Sequence, residues 1–304
     1  WARSENCPWD CQTCSEAARG GHLSTLQWAR ENGCDWDDRT CGSAAAGGHL
    51  EVLQWARAAG ATWNESITSV AAGGGNLELL QWTRNEGCLW HPGACFAAAY
   101  IGNLEMLKWM MAHGCPWSAN ASYTAARNGH LHILQWAKAS TYPWQHDHIF
   151  CAAADGGHLG VLQWAKNNYC YWDSECTCYA SACAGRLDIL QWAREQGFPW
   201  DAETCAAAAE AGHFEVLKWA RSHGCPWDGN TCSGAAEAGR LDILQYVRQE
   251  GCPWDAKTCS AAAEAGYFEV LQWAWSQGCP WDEDTCTGAA RAGRLDILRW
   301  TREK

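Results

Sequence analysis

The chain has 304 residues, and its 22 Lys and Arg against 34 Asp and Glu give a formal net charge of −12 at pH 7. Nucleic-acid and anionic-membrane binders need basic surfaces to neutralise phosphates, so this balance predicts neither partner. Hydrophobic residues make up 48%, which favours a packed core over disorder. No apolar run approaches the roughly 20 residues of a membrane-spanning helix, so no direct membrane insertion is expected.

Tryptophan residues mark an internal repeat of 27 residues, with two steps of 28. One series stands before Asp or a similar turn residue: Trp9, Trp36, Trp63, Trp90, Trp117, Trp144, Trp172, Trp200, Trp227, Trp254 and Trp281. A second series runs in step with it, from Trp28 to Trp300. Such a period is the signature of a solenoid, so we predict one repeat domain over residues 1–304.

The predicted elements begin with a partial unit at residues 1–9, the end of a second helix, and continue as eleven helical hairpins. In the unit 254–278, Asp255 is the predicted N-cap of an Ala-rich first helix, which Gly266 ends. The second helix starts near Phe268, with apolar residues at helical spacing, and Gly278 ends it before a Cys-Pro-Trp turn. The predicted fold is all-α, a right-handed stack of helical hairpins without β-hairpins.

Two irregularities follow from the same comparison of units. Residues 141–178 contain the longer repeats and lack the usual helix-ending glycine at Thr141, so an irregular junction is expected there. The chain closes in a second helix at residues 295–300. Since neither end carries an evident polar cap, we expect the sequence to be a piece of a longer protein.

The stretch 40–53, TCGSAAAGGHLEVL, resembles the ankyrin repeat core T-P-L-H-x-A-A-x-x-G-H-x-x-V-V. An ankyrin unit has about 33 residues, whereas these units are shorter and carry Cys-Pro-Trp-Asp in place of the β-hairpin. The sequence is similar to the divergent Trp-rich ankyrin arrays of protists and large viruses. This resemblance implies an α-solenoid that binds other proteins.

The abundant Trp and Cys residues follow the repeat, which favours packing over special chemistry. The fixed register of the indoles indicates burial between neighbouring units. Cysteines recur seven residues apart, as at Cys34 and Cys41, and the joint loss of both members at Ala61 and Thr68 suggests mutual contact. Buried thiols, disulfides and metal ligands all remain open.

The sequence predicts no catalytic residue, no cofactor and no metal site, and we do not expect an enzyme. The one compact ligand-like cluster is His146–Asp147–His148 with Cys151. It is explained either as the polar first turn of an irregular helix or as a metal site. No pairing of a nucleophile with a histidine has the spacing of a catalytic site.

Departures from the chain's own consensus predict where a partner binds. Large apolar residues replace small or polar ones in the fourth and fifth units, at Phe96, Tyr100, Ile101, Met110, Met111 and Tyr123. Met111 replaces a recurring Arg, as does Trp275. These residues are either interface anchors or local repacking. A second series, five residues after the first-helix cysteine, reads Asp155, Cys183, Glu210, Glu237, Glu264 and Arg291, and forms either a docking row for a basic partner or a solvated face.

The function predicted from these features is a noncatalytic protein–protein interaction scaffold that presents an extended solenoid surface. Two alternatives stay open: the targeting arm of a larger enzyme whose catalytic domain lies outside this chain, and a structural subunit of a large complex. The expected partner is another protein with a basic surface, and the expected location is the cytoplasm.

Overall fold

The structure, a computed structural model, describes residues 9–140, 142, 148–168 and 176–304. These residues form twenty-two helices and no strand, which confirms the all-α prediction. The chain divides into two compact units, Trp1–Gln145 and His146–Lys304. The boundary between them falls inside the stretch 141–178 that the sequence marks as irregular.

The first compact unit contains five hairpins. Its first helices are α1 (Cys11–Arg19), α3 (Asp38–Ala46), α5 (Ser66–Gly73), α7 (Ala94–Tyr100) and α9 (Ala119–Arg127). Its second helices are α2 (Leu23–Glu31), α4 (Leu50–Ala58), α6 (Leu77–Asn85), α8 (Leu104–Ala112) and α10 (Leu131–Ala139). Each first helix packs on the second helix of its own hairpin and on the first helix of the next hairpin.

The second compact unit contains six hairpins with the same packing. Its first helices are α11 (Ile149–Gly156), α13 (Cys176–Cys183), α15 (Ala202–Glu210), α17 (Gly229–Glu237), α19 (Ala256–Glu264) and α21 (Glu283–Arg291). Its second helices are α12 (Leu159–Asn167), α14 (Leu187–Glu195), α16 (Phe214–Ser222), α18 (Leu241–Gln249), α20 (Phe268–Ser276) and α22 (Leu295–Glu303).

Local sequence explains where these short helices begin and end. The Asp255 carboxylate accepts the backbone N–H of Lys257 and so caps α19, as the sequence predicts. Gly266 and Gly278, after α19 and α20, have φ angles of +79° and +82°. Because L residues with side chains avoid this region, glycine at these two positions stops each helix and turns the chain.

The core of each compact unit lies between the first and second helices and is made mainly of small and aliphatic residues, with Phe150 and Phe198 also buried in the second unit. In the hairpin α17–α18, Cys232, Ala235 and Leu244 have no exposed surface. No described tryptophan is buried, and Trp28 is 50% exposed. The tryptophans therefore pack on one another at the surface, and the expected indole burial between units is corrected.

Cysteine contacts also differ from the expectation. The cysteines seven residues apart are not the ones that meet; the Sγ atoms of Cys95 and Cys115, twenty residues apart in sequence, lie 3.2 Å from each other. The turn that closes a hairpin lies next to the start of its first helix, because the second helix runs back along the first. Cysteines twenty residues apart therefore meet, whereas those seven residues apart do not. A disulfide joins Cys151 to Cys176, while the other described cysteines are free.

Neighbouring hairpins are also joined at the turn between their two helices. Arg240 donates from Nη1 to the carbonyl oxygen of Gly212 and pairs with Asp242 at 2.6 Å. The Nε2 atom of His213 lies 3.1 Å from the carbonyl oxygen of Cys183, in the position equivalent to Arg240. These contacts satisfy carbonyl groups that the tight glycine turns leave without helical partners.

The helices are all short. No described helix exceeds nine residues, and none has the length and apolar character that crossing a bilayer requires.

Candidate functional site

The first helices present one surface away from the core, which we call the first-helix face. It carries the residues one and five positions after Cys95 and its equivalents in the other hairpins. In α1 and α3 these residues are Ser15, Arg19, Gly42 and Ala46, and they line a shallow groove. Small side chains leave the helix surface accessible, so larger residues on this face project from it.

Aromatic side chains project from the first-helix face in the first compact unit. Phe96 and Tyr100, four residues apart on α7, are 43% and 57% exposed. Tyr123 occupies the position of Phe96 in the next first helix, α9, and is 37% exposed. Since α7 packs on α9, these three predicted residues share one surface. Ile101, which follows α7, adds a fourth exposed apolar side chain.

The two methionines of the predicted patch lie elsewhere. Met110 is completely buried in α8, so its place in an exposed patch is wrong. Met111 is half-buried in the last turn of this second helix, at the position that Arg84 occupies in α6. The structure therefore does not bring the methionines together with Phe96 and Tyr100 on the first-helix face.

Carboxylates follow the first-helix face in the second compact unit. Glu210, Glu237 and Glu264 are exposed final residues of α15, α17 and α19, and Asp155 is half-buried near the end of α11. A carboxylate at the carboxyl end of a helix meets the negative end of the helix dipole. At these positions a negative charge is unfavourable, and a bound cation would stabilise the carboxylates.

The surroundings of Cys183 indicate that these acidic residues are close in space. Burial raises the pKa of the Cys183 thiol first, and the carboxylates of Glu210 and Asp155 on either side raise it further. At the other end of the row, Glu264 forms an ion pair with Arg291. We call Asp155, Glu210, Glu237 and Glu264 the acidic row.

A groove between α17 and α19 adjoins the acidic row. Ser233, Lys257, Ser260 and the acidic residues Glu237 and Glu264 line it. Within the described residues, Glu210 and Glu237 form no ion pair, so both carboxylates are available to a partner.

The tryptophans and arginines form a second surface, the tryptophan ladder, at the turns between hairpins. Each rung joins a turn tryptophan edge-to-face to a second-helix tryptophan, as at Trp254 and Trp273 with ring centroids 6.1 Å apart. The guanidinium of Arg248 lies over Trp254 at 4.0 Å and donates to the carbonyl oxygen of Cys252. The sequence analysis noted these arginines only as a recurring residue and did not predict this stacking.

Trp275 belongs to the tryptophan ladder. Its ring centroid lies 5.4 Å from that of Trp300 and 6.3 Å from that of Trp281. The side chain is half-buried in this cluster, and Lys304 lies over its ring. Trp275 is thus an anchor within a cluster and not an isolated exposed residue.

Tyr179 was missed by the sequence analysis although the repeat register contains the signal. It occupies on α13 the position of Phe96 and Tyr123, and it is 42% exposed. A hydrogen bond with Cys183 is the main cause that raises the pKa of its phenol. Comparison of each hairpin at the position after the first-helix cysteine would have found it.

The candidate metal cluster is only partly visible. His146 and Asp147 lie outside the described residues, and Cys151 is in the disulfide with Cys176. Among the residues that the structure does describe, no group of three or more His, Cys, Asp or Glu side chains could hold a metal ion.

Comparison with known families identifies the repeat. Residues 14–57, which include most of α1, all of α2 and α3 and all but the last residue of α4, match the family model "Ankyrin repeats (many copies)". This segment is therefore similar to ankyrin repeats. The other hairpins repeat the sequence of this segment, so we call the chain an ankyrin-like array. No curated protein matches the sequence significantly.

Two solved structures similar to the ankyrin-like array are of the pentatricopeptide repeat protein PPR10 in complex with an 18-nt psaJ RNA element. The identities are 14% and 13%, each with a TM-score of 0.44 and coverage of 100% of this chain. The chain spans about half of the PPR10 chains, 55% in each case. The likeness is one of helical-repeat fold.

The exclusion of nucleic acid from the possible partners is wrong. Both PPR10 structures hold RNA on a helical-repeat fold. Net charge is a property of the whole chain, whereas a partner meets one local surface. The ankyrin-like array carries a local series of cations in its tryptophan ladder, including Arg194, Arg221 and Arg248. A net charge of −12 therefore does not decide the class of partner.

Proposed function

We propose that this ankyrin-like array is a noncatalytic scaffold that binds another protein through the first-helix face. The observation that carries the proposal is the exposure of Phe96, Tyr100 and Tyr123 at positions where most other hairpins have small or charged residues. Exposed aromatic side chains on a rigid element are typical interface anchors. A scaffold function fits a fold of repeated hairpins, each of which adds its own exposed first-helix surface.

The acidic row supports a basic segment in the partner. A lysine or arginine side chain beside Glu210 or Glu237 would relieve both the repulsion between carboxylates and the conflict with the helix dipole. Asp155 lies at the other end of the same row. Exposed charge pairs are screened by salt, so binding through the acidic row weakens as ionic strength rises.

Met111 and Trp275 are proposed contacts of a different surface. Both replace the arginine of the tryptophan ladder, and both enlarge its apolar area at one rung. A partner that extends across the turns of a hairpin would meet them there. The proposed cytoplasmic location accords with reduced thiols at most cysteine positions.

Substitution on the first-helix face tests the proposal. A protein captured from a cell extract by the full chain is purified, and its affinity is measured by calorimetry at two salt concentrations. We expect Tyr100→Ala to weaken binding by about tenfold or more, the usual effect of losing an aromatic anchor. The double variant Glu210→Gln and Glu237→Gln should reduce the salt dependence.

The control is Glu51→Gln in the first turn of α4, an exposed carboxylate on a second helix. It should leave affinity unchanged. Equal losses in Tyr100→Ala and Glu51→Gln would reject the first-helix face as the binding surface.

A further inference from the structure

Pairs of buried thiols recur within the hairpins at a fixed separation of twenty residues. In each pair, a first-helix cysteine meets the cysteine in the turn that closes the same hairpin. The pairs are Cys14 with Cys34, Cys95 with Cys115, Cys205 with Cys225, Cys232 with Cys252, and Cys259 with Cys279. All ten side chains are buried.

The geometry of the Cys95–Cys115 pair is close to that of a disulfide. The Sγ atoms of Cys95 and Cys115 are 3.2 Å apart, while the S–S bond is about 2.05 Å long. A side-chain rotation that brings the sulfur atoms about 1 Å closer would allow the bond to form. The first helix and the closing turn are already packed together, so no helix has to move.

We propose that the five cysteine pairs are sites of disulfide formation, at which a disulfide oxidant such as oxidised glutathione closes each hairpin covalently. A turn thiol loses its proton, and its thiolate attacks a sulfur of the oxidant and releases one glutathione thiolate. The first-helix cysteine then attacks the mixed disulfide through its own thiolate and releases the second glutathione. Two protein thiols become one disulfide, and the oxidant becomes two thiols with the two protons.

The surroundings of Cys279 favour the turn cysteine as the first nucleophile. Hydrogen bonding from Cys259 is the main cause that lowers the pKa of the Cys279 thiol, and the Thr258 hydroxyl lowers it further. Thr258 is fully buried, and its hydroxyl has no hydrogen-bond partner while Cys279 is protonated. The Thr258 hydroxyl can therefore donate a hydrogen bond to the thiolate that forms when Cys279 loses its proton.

Access differs among the pairs and sets an order of reaction. Cys115 and Cys279 are 6% and 4% exposed, whereas Cys225 and Cys252 have no exposed surface. The first-helix thiol also lowers the pKa of Cys115. The hairpins with Cys115 and Cys279 should therefore be oxidised first.

The chain contains matched cysteines that lack a partner. Cys41 and Cys178 occupy the first-helix position, but their turn equivalents are Ala61 and Phe198. Cys88 occupies the turn position, and its first-helix equivalent is Thr68. All three cysteines are buried like the paired ones, but the partner position in their hairpin holds another residue type. They therefore serve as controls for the effect of burial alone.

Disulfide mapping tests the proposal on the full chain. The protein is equilibrated in glutathione buffers with rising shares of the oxidised form, quenched with acid, alkylated under denaturing conditions, digested and analysed by mass spectrometry. We expect five crosslinks between cysteines twenty residues apart. The crosslinks that contain Cys115 and Cys279 should form at the lowest share of oxidised glutathione. Cys41, Cys88 and Cys178 should be alkylated throughout.

Two variants remove the turn thiol of one pair: one copies a residue that the repeat itself uses, and the other keeps an apolar side chain of similar size. In Cys252→Ala, which copies Ala61, and in Cys252→Val, the partner Cys232 should be alkylated while the other four crosslinks form. Circular dichroism verifies that each variant is folded. Paired cysteines that stay alkylated in the most oxidising buffer, or crosslinks that include Cys41 or Cys88 as often as the paired residues, would overturn the proposal.

Discussion

At the residue scale, an added methyl group would have opposite effects at two glycines, Gly239 and Gly42. Gly239 has a φ angle of +68°, and a Cβ atom there would lie 2.6 Å from the ring of Tyr267 in the next hairpin. Gly42 lies inside α3 with open space around it. Gly239 is required because its φ angle is positive and the ring of Tyr267 lies close to its Cα atom. Gly42 is not required, and it destabilises α3 because glycine loses more conformational entropy on folding than alanine does.

We therefore expect alanine to act with opposite sign at these positions. Gly239→Ala should lower the free energy of unfolding by about 1–3 kcal/mol, because it adds backbone strain and a steric clash. Gly42→Ala should raise it by about 0.5–1 kcal/mol. Urea denaturation followed by far-UV circular dichroism measures both changes, and a shift of the same sign in both variants would contradict this explanation.

The sequence predicted these turns because glycine and aspartate act locally. Gly266 and Asp255 determine a turn and a cap through their own backbone and their near neighbours in sequence. The exposure of Tyr100 could be inferred from its place among small residues. The stacking of Arg248 on Trp254 could not, since it depends on how the Cys-Pro-Trp turn folds back over the end of the helix.

At the element scale, an arginine in the last turn of a second helix connects that helix to the turn that follows, as in six of the described hairpins. Arg248 satisfies the carbonyl oxygen of Cys252 and covers the face of Trp254. A favourable interaction with the helix dipole is thus only one of its three contributions. A planar guanidinium can make all three at once, which an ammonium group cannot.

Replacement of this arginine should therefore cost stability even when the charge is kept. Arg248→Lys is expected to lower the free energy of unfolding by about 0.5–1 kcal/mol through weaker stacking on Trp254. The control Arg39→Lys changes an exposed ion pair with Asp37 and should cost less than about 0.5 kcal/mol. Thermal unfolding compares the two, and an equal loss would show that stacking adds nothing.

Thiol pairing lay beyond sequence reasoning at this scale. Cys34 and Cys41 are near in sequence, but they belong to a turn and to the helix that leaves it. The partner of Cys34 is Cys14, which two intervening helical segments bring back to the turn. Spacing along the chain is a poor guide to contact when the chain reverses direction between the two residues.

At the scale of the whole molecule, stability varies along the chain because each hairpin is supported mainly by its neighbours. The helix α20 buries Val270, Leu271 and Ala274. The helix α22 buries only Ile297, and its Leu295 is 56% exposed. Local opening should therefore require less free energy in α22 than in α20.

Hydrogen exchange measured by mass spectrometry tests this gradient. We expect backbone amides of α22 to exchange at least about tenfold faster than those of α20, a difference of about 1.4 kcal/mol in opening free energy. The helix α18, with Ile243, Leu244 and Val247 buried, serves as a second well-packed reference. Uniform protection across α18, α20 and α22 would instead indicate a single cooperative unit.

The alternating joints between hairpins limit how such an array can change its length. Arg240 and Arg294 each reach back to a glycine carbonyl, whereas the intervening joint places the ring of Tyr267 on Gly239. Two hairpins contain 54 residues, the separation between Gly185 and Gly239. Removing or inserting 54 residues therefore keeps the same order of arginine and ring residues at the joints between hairpins. A single added hairpin would interrupt the alternation of arginine and ring in these last hairpins, so extension in steps of two hairpins is the route that preserves it.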